Sequence, residues 1–419
     1  MQTLNKTFLS FGLFFITLYL TAQTPIKLMS YNLLHYPTGT GIDRKDNLKY
    51  ILDTYQPDIF MACEIENGTG ADEILNYCLG TQKFASSSFT YNHSGSQYPL
   101  QQMLYYNKFK FELVNETYLT TYVRDINHYT LKLLTDNTSD NIYIDVYVAH
   151  LKAGADSTNS SNNDTSNENA RRDMVQVFVD DLANIPSDHF VIFAGDFNLY
   201  TYQEPAYQKI IDPDNAIVMK DPIHREGPWH NNIQYKDIFT QSTHSTSANS
   251  YVGGGLDDRF DFIMMSQNLL NNPVLHYTSN TYKSFGNNGT CFNKAINSST
   301  CSGSLYDDNL RENLYTMSDH LPVVASLETT ATLSVNEENL LVTRINEGTY
   351  VQNTLSLHTD YSTLPVNVQI FNSLGQRLLS VPSYQPDIPI NISTLSQGIY
   401  FLHLKSGQKQ QIIKFVKTP

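Results

Sequence analysis

The stretch that most constrains this chain is Val191-Ile192-Phe193-Ala194-Gly195-Asp196-Phe197-Asn198. A short apolar run of β-type residues ends in a glycine, and two polar side chains follow, two positions apart. On an extended strand end, residues i and i+2 point the same way, so Asp196 and Asn198 are expected to face one site. A carboxylate that only accepts, beside an amide that also donates, suits a metal-held phosphate: one fixes a cation or a water, the other an oxygen. An Asx turn after a buried strand accounts for the same letters equally well. The choice rests on whether other segments supply the rest of a site.

They do. Ile26 to Asn32 alternates and stops at a polar residue. Ile59-Phe60-Met61-Ala62-Cys63 is a buried-type strand ending in Glu64, and Ile142–Ala149 is one ending at His150. Asp258 to Met265 reads as a strand that carries Asp261, and Ser318-Asp319-His320 precedes a last strand, Pro322–Leu327. Further strands are expected at 103–106, 111–118 and 128–134, and helices at 43–55, capped by Asp43, at 71–79 and at 169–183. Asp156 to Asn167 contains no large apolar residue and reads as a mobile surface loop. Residues 279–304 form an irregular Asn/Gly/Ser-rich insert. Gly253–Gly255 is not followed by a helix with Lys-Ser/Thr, so it is not read as a phosphate loop.

A length of 419 residues calls for two or three domains, and an apolar fraction of 41% is enough for a sizeable core. Lys6, the apolar run Phe8–Leu20 and Thr21-Ala22-Gln23 read as a signal peptide over residues 1–22, cleaved after Ala22. No other run is long enough to span a membrane. Export permits disulfides. Cys291–Cys301 is the favoured bridge, Cys63–Cys78 a weaker one, and the spacing lacks the partners a zinc site needs. The net charge of −14 argues against non-specific adhesion to nucleic acid or anionic membrane. It leaves room for a phosphodiester-cleaving enzyme with local positive charge and a metal.

Polar residues thus mark six strand ends: Asn32, Glu64, His150, the Asp196/Asn198 pair, Asp261 and the Asp319/His320 pair. Glu64 and Asp319 are hard oxygen ligands of the kind Mg²⁺ takes. His320 can act as general base on water, with Asp261 accepting its Nδ1–H. His150 can donate to a phosphate oxygen, and the amides of Asn32 and Asn198 can fix ligand oxygens. Arg124-Asp125 reads as a substrate contact or a surface ion pair, Lys152 as a phosphate contact or a solvated side chain, and Arg171 and Arg172 as structural.

On Ser30–Asn32, Gln56–Glu64, His150–Lys152, Gly195–Asn198, Arg259–Ile263 and Ser318–His320, in that order, the chain resembles the endonuclease/exonuclease/phosphatase superfamily over about Pro25 to Leu327. The family's usual Gln-Glu is Cys63-Glu64 here. The resemblance implies an α+β fold, a four-layered αββα sandwich of the deoxyribonuclease type. It implies Mg²⁺ or Mn²⁺ on Glu64 with Asp319 and Asn32 close by, and a structural Ca²⁺ is left open. It further implies hydrolysis by water that His320 and Asp261 activate, with Asp196 and Asn198 around the nucleophile and phosphate and His150 on the phosphate. Arg124 resembles the arginine that deoxyribonuclease-like members place on the substrate backbone.

From about Thr329 short alternating strands and turn residues take over, as in a separate small β-sandwich. Val368–Gly375, Leu395–Phe401 and the terminal Lys414–Lys417 resemble the type A sorting domain of type IX secretion in Bacteroidota, although the usual Pro-Asn-Pro is absent near Asn353. The expected organisation is a signal peptide (1–22), a hydrolase domain (23–330) and a sorting segment (331–419). The leading expectation is a secreted, monomeric endonuclease acting on DNA or RNA. A sphingomyelinase-like phospholipase C or a sugar-phosphate phosphatase built on the same site is the alternative, and a catalytically idle surface protein ranks last.

Overall fold

Two sheets are built around central strands buried on both faces, such as Ile59–Ile65 and Phe190–Asp196. The computed structural model describes residues 24–94, 100–137, 139–156, 158–159, 162–163, 166–301, 303–334, 343–346, 348–359, 366–385, 388–407 and 409–419. The expected signal peptide lies outside the described residues. The strands are β1 (Thr24–Tyr36), β2 (Ile59–Ile65), β3 (Phe84–Ser86), β4 (Gln101–Asn107), β5 (Phe111–Leu119), β6 (Ile126–Leu133) and β7 (Tyr143–His150). They continue with β8 (Thr158–Asn159), β9 (Asn162–Asn163), β10 (Phe190–Asp196), β11 (Met219–Lys220), β12 (Asp261–Ser266), β13 (Leu275–Tyr277), β14 (Lys283–Ser284) and β15 (Val323–Thr329). One sheet runs β13-β15-β1-β2-β4-β3, with β14 on β15; the other runs β11-β12-β10-β7-β6-β5. β1–β2 and β7–β10 are parallel, and the remaining pairs are antiparallel.

Period-two alternation decides which side chains meet. Leu28, Met61, Val146, Ile192 and Ile263 belong to the cluster between the sheets. The intervening Met29, Phe60, Tyr147, Phe193 and Phe262 belong to the cluster shared with the helices. The helices α1 (Lys45–Tyr55), α2 (Gly68–Glu73), α3 (Ser166–Asp181), α4 (Pro205–Ile210) and α5 (Asp308–Met317) cover the outer faces. On α1 the buried Leu48, Ile51 and Leu52 form the inward stripe, and on α3 Met174, Val175 and Phe178 do. Phe178 stacks on Phe193 and meets Tyr147 edge-on. The result is the expected αββα order.

Several local expectations are corrected. Asp43 does not cap α1: Arg44 occupies the N-cap without a side-chain bond, while Asp43 Oδ1 accepts from Lys45 N. The helix expected at 71–79 starts at Gly68, with Asn67 as its cap, and continues as a π-helical turn over Ile74–Leu79. The strand expected from Asp258 starts at Asp261. Helices α4 and α5 were not anticipated. In α5 the apolar spacing is diluted by Arg311, which is buried and donates to the Ile296 and Cys301 carbonyls. Within 156–167, Asp156 accepts from the Asn167 and Glu168 amides, and β8 pairs with β9. Cys291 and Cys301 form the favoured disulfide, whereas Cys63 and Cys78 are buried free thiols.

Residues Ile345 to Phe415 hold a hydrophobic cluster of their own. The strands there are β16 (Thr343–Ile345), β17 (Tyr350–Val351), β18 (Thr354–Leu355), β19 (Leu357–Thr359), β20 (Val366–Asn372), β21 (Arg377–Tyr384), β22 (Ile390–Asn391), β23 (Gly398–Ser406) and β24 (Lys409–Lys417). Five of them form the sheet β17-β24-β23-β20-β21. Among the described residues no helix is long and apolar enough to cross a membrane.

Candidate active site

The site is the end of the inter-sheet core, where the inward-facing rows of side chains turn polar. In the second sheet His150 is the register partner of Asp196, and Asp196 of Asp261. These three positions continue the rows of Val148, Ala194 and Ile263 and so share their face. In the first sheet Asn32 continues the row of Ile26 and Leu28. Strict alternation would turn Glu64 outward. A bulge between Ala62 and Ile65, with Glu64 at φ +64, swings it inward instead. Ser318, ahead of β15, donates to the Asn32 carbonyl and accepts from His320 N, which fixes the approach of Asp319 and His320.

His320 Nδ1 lies 2.7 Å from Asp261 Oδ2, and Nε2 lies 2.7 Å from Gln241 Nε2 and 3.7 Å from Asp196 Oδ2. Asn32 Nδ2 donates to Glu64 Oε1 at 2.9 Å and to Asp196 Oδ2 at 3.0 Å, while its Oδ1 accepts from Leu34 N. As placed, Asn32 steers two carboxylates through Nδ2, and one backbone N–H engages its Oδ1. His150 lies 3.7 Å from Glu64 Oε1 through Nδ1 and 3.5 Å from Asp196 Oδ2 through Nε2. Asp319 Oδ2 accepts from Val252 N at 3.0 Å.

Asn198 does not face the site by strand alternation. It sits at φ +52, and its N–H donates to Asp196 Oδ1 at 3.0 Å, which is an Asx turn. Its Nδ2 lies 3.4 Å from the Leu151 carbonyl. The turn and the site are therefore the same object. Gly195, at φ +133, permits it: a Cβ there would lie 1.9 Å from the Ala149 carbonyl oxygen.

Arg124 precedes β6 and donates to the Leu151 carbonyl at 3.2 Å. It makes no ion pair with Asp125, which is buried and accepts from His93 and Ser94. Lys152 is half-buried and donates to the Ala153 carbonyl. Arg171 is buried, pairs with Glu204 and holds the Lys152 and Gly154 carbonyls; Arg172 pairs with Asp173 at the surface.

Three residues at the site carried no sequence signal. Gln241 meets His320 from a loop without a motif. His35 donates its N–H to Glu64 Oε2 at 3.0 Å. Arg44, buried without a carboxylate partner, gathers the carbonyls of Leu33, Leu34 and Met317 and so ties the Asn32 segment to the Ser318 segment.

Burial and crowding of like charge set the electrostatics. Burial pushes Asp196 up to about 7, with His320 opposing and Asp261 and Glu64 adding to the rise. Burial likewise raises Asp319. Burial lowers His150 well below its usual range, helped by Arg124 and His320. Burial also depresses His320, but the carboxylates of Asp261 and Asp196 outweigh it and hold the ring well above its usual range.

The donor set suits a hard divalent cation. Asp319 Oδ1, Asp261 Oδ1 and His150 Nδ1 are buried with no hydrogen-bond partner. Glu64, His150 and Asp196 bring ligand atoms within 4.8 Å of one another, as do Asp196, Asp261 and His320. Asp319, expected beside Glu64, is in neither of these groupings. Mg²⁺ asks only one or two carboxylates of a protein.

At the other end of the chain, the five-stranded sheet closes over Val368, Ile370, Leu402, Leu404 and Phe415. Residues 350–418 match the secretion system C-terminal sorting domain family. The sorting domain assigns the chain to the cell surface or the extracellular space. None of the curated proteins matches the chain. Among solved structures, the human Nocturnin catalytic domain is 17% identical, covering 72% of this chain and 94% of that one with a TM-score of 0.44. An endonuclease/exonuclease/phosphatase from Bacteroides vulgatus is 16% identical, covering 73% and 99%, with a TM-score of 0.46. D. rerio TDP2 complexed with a single-strand DNA product is 16% identical, covering 73% and 100%, with a TM-score of 0.46.

Proposed function

We propose that the chain is an exported, divalent-metal-dependent phosphodiesterase that hydrolyses nucleic acid with water activated by His320. The observation that carries this reading is the His320–Asp261 dyad meeting Glu64, His150 and Asp196 in one buried, acid-rich pocket. Asp261 accepts from Nδ1–H, and Nε2 takes a proton from water when the ring is neutral, the form that a cation beside the same carboxylates would favour by opposing the charge that raises the ring. The Gln241 amide lies 2.7 Å from Nε2; turned over, its oxygen accepts from the imidazolium, and in the neutral ring its NH₂ must give way before Nε2 can take a proton from water. Asp196, 3.7 Å from Nε2, can hold the same water. The water oxygen attacks phosphorus, its proton passes to His320, and the leaving oxygen departs with the bonding electron pair and takes a proton from solvent.

His150, kept neutral by burial, donates to a phosphate oxygen. Asn198 fixes another, and Arg124 and Lys152 supply positive charge. Glu64 and Asp319 would hold the cation, with Asn32 aligning Glu64 and Asp196. Mg²⁺ or Mn²⁺ there would supply Lewis acidity toward the phosphate and compensate the crowded carboxylates. We read residues 1–22 as a signal peptide, 23–330 as the hydrolase and 331–419 as the segment taken by the type IX machinery.

The test is a substrate panel on the full chain: plasmid DNA, RNA, sphingomyelin and inositol phosphates, with Mg²⁺ and with EDTA. Plasmid nicking abolished by EDTA is the expected result. Release of phosphocholine or free phosphate without nicking would overturn nucleic acid as the substrate.

A further inference from the structure

Among the described residues from Thr24 to Ser334, the exposed large aromatic side chains are Tyr91, Tyr118 and Tyr122, at 62%, 40% and 82%. They come from two segments that the structure brings side by side. Tyr91 is two residues from His93, and the His93 ring stacks on Tyr118 at 3.9 Å and 3°. Tyr122 belongs to the loop that joins Tyr118 to Arg124. Buried Asp125 pins the two segments together, accepting from His93 N and Ser94 N while its own N–H donates to Asn92. Arg124, two residues after Tyr122, links this region to the site: its guanidinium holds the Leu151 carbonyl and feels the charges of Glu64 and Asp196.

We propose that Tyr91, His93, Tyr118 and Tyr122 form a stacking platform for unpaired bases of the strand whose phosphate occupies the pocket. The platform makes single-stranded nucleic acid the substrate class. This rests on the phosphodiesterase reading. Charge supports it from the other side. A chain of net charge −14 gains little from general attraction to phosphates, so affinity for a strand has to come from contacts that do not depend on charge. Base–aromatic stacking is such a contact, and it is indifferent to sequence. Bases inside a duplex are already stacked and cannot reach the rings. A lipid surface fits less well. Membrane-seating faces set their aromatic rings among several aliphatic side chains with Lys or Arg at the edge, whereas here Val114 is the exposed aliphatic residue nearby on β5.

The experiment measures binding of the full chain by fluorescence anisotropy in EDTA, so that nothing is cleaved. The probes are a labelled oligothymidine, a same-length abasic strand and a blunt duplex. The parent is expected to prefer oligothymidine over both others. Tyr118→Ala with Tyr122→Ala should weaken oligothymidine binding about tenfold or more and leave abasic-strand binding unchanged, while Tyr118→Phe retains parent affinity. Equal binding of the parent to all three probes would overturn the platform. So would an unchanged double variant. In parallel, hydrolysis of bis(p-nitrophenyl) phosphate is measured in the parent, where it should require Mg²⁺ and be abolished by EDTA. If the parent does not hydrolyse it, the phosphodiesterase reading fails while the anisotropy result still decides the platform.

Discussion

Asn32 and Asp196 lie on strands of opposite sheets, and the amide nitrogen of the first sits 3.0 Å from Oδ2 of the second. The same nitrogen holds Glu64. One neutral donor thus bridges two buried carboxylates, and Asp261 and Asp319 add two more. Such crowding is destabilising unless charge is compensated.

A divalent cation should therefore stabilise the fold. With Mg²⁺ or Mn²⁺ at about a hundred times its Kd, the gain is about 2.7 kcal/mol, read as a rise in Tm over EDTA. Glu64→Ala and Asp319→Ala should each shrink that rise. An absent shift with both ions, or a full shift in both variants, would contradict the cation assignment.

Activity should depend on the dyad. His320→Ala is expected to lower kcat about 10²- to 10⁴-fold, as loss of a general base does. Asp261→Asn should also lower it, because an amide cannot hold the imidazole in the same tautomer with the same charge. Far-ultraviolet circular dichroism should be unchanged in both. Parent-like turnover by His320→Ala would show that another group activates the water.

How much of this was legible depended on whether each signal was local. Central strands such as Phe190–Asp196 face apolar neighbours on both sides, so they stand out as continuous apolar runs, and their polar ends stand out with them. Asp196, His150 and Asp261 were found for that reason. Glu64 was found although alternation alone would have turned it away; the bulge that rescues it is set by pairing with β4, which no local pattern encodes. For Asn198 the letters allow a strand end or an Asx turn, and the structure has the turn. Gln241 and Arg44 were invisible, because their partners lie 79 and 273 residues away in the case of His320 and Met317. The tyrosine patch was missed because two unrelated segments supply it.

Gly195 should tolerate no side chain. It sits at φ +133 beside Ala149, where a Cβ would overlap backbone rather than a movable side chain. Gly195→Ala must strain the turn or part β10 from β7, at a cost of about 1–3 kcal/mol for each effect. A clear drop in Tm is expected, with turnover falling as Asp196 moves. Unchanged stability would mean that β10 and β7 do not approach as described.

Stability should also carry an acid limb traceable to His244. This ring is buried between Tyr251 and Tyr315, stacked on both, and its Nδ1 meets the Thr243 hydroxyl. That hydroxyl donates onward to the Ser318 carbonyl, so it accepts from His244 and the ring is the Nδ1–H tautomer. Burial lowers its pKa to about 4. The folded state thus excludes a proton that the unfolded chain, with an ordinary value near 6.5, accepts. The contribution is complete above about pH 6.5. It is lost as pH falls toward 4, at up to about 1.4 kcal/mol per pH unit and about 3 kcal/mol over the window. His244→Phe keeps the stack and removes the titration. Urea unfolding at pH 7, 5.5 and 4.5 should therefore show a shallower loss of stability in the variant than in the parent. The acid limb left by the other carboxylates and histidines is common to both proteins and cancels in the difference. Parallel curves would mean that the ring is protonated as readily in the folded chain as in the unfolded one.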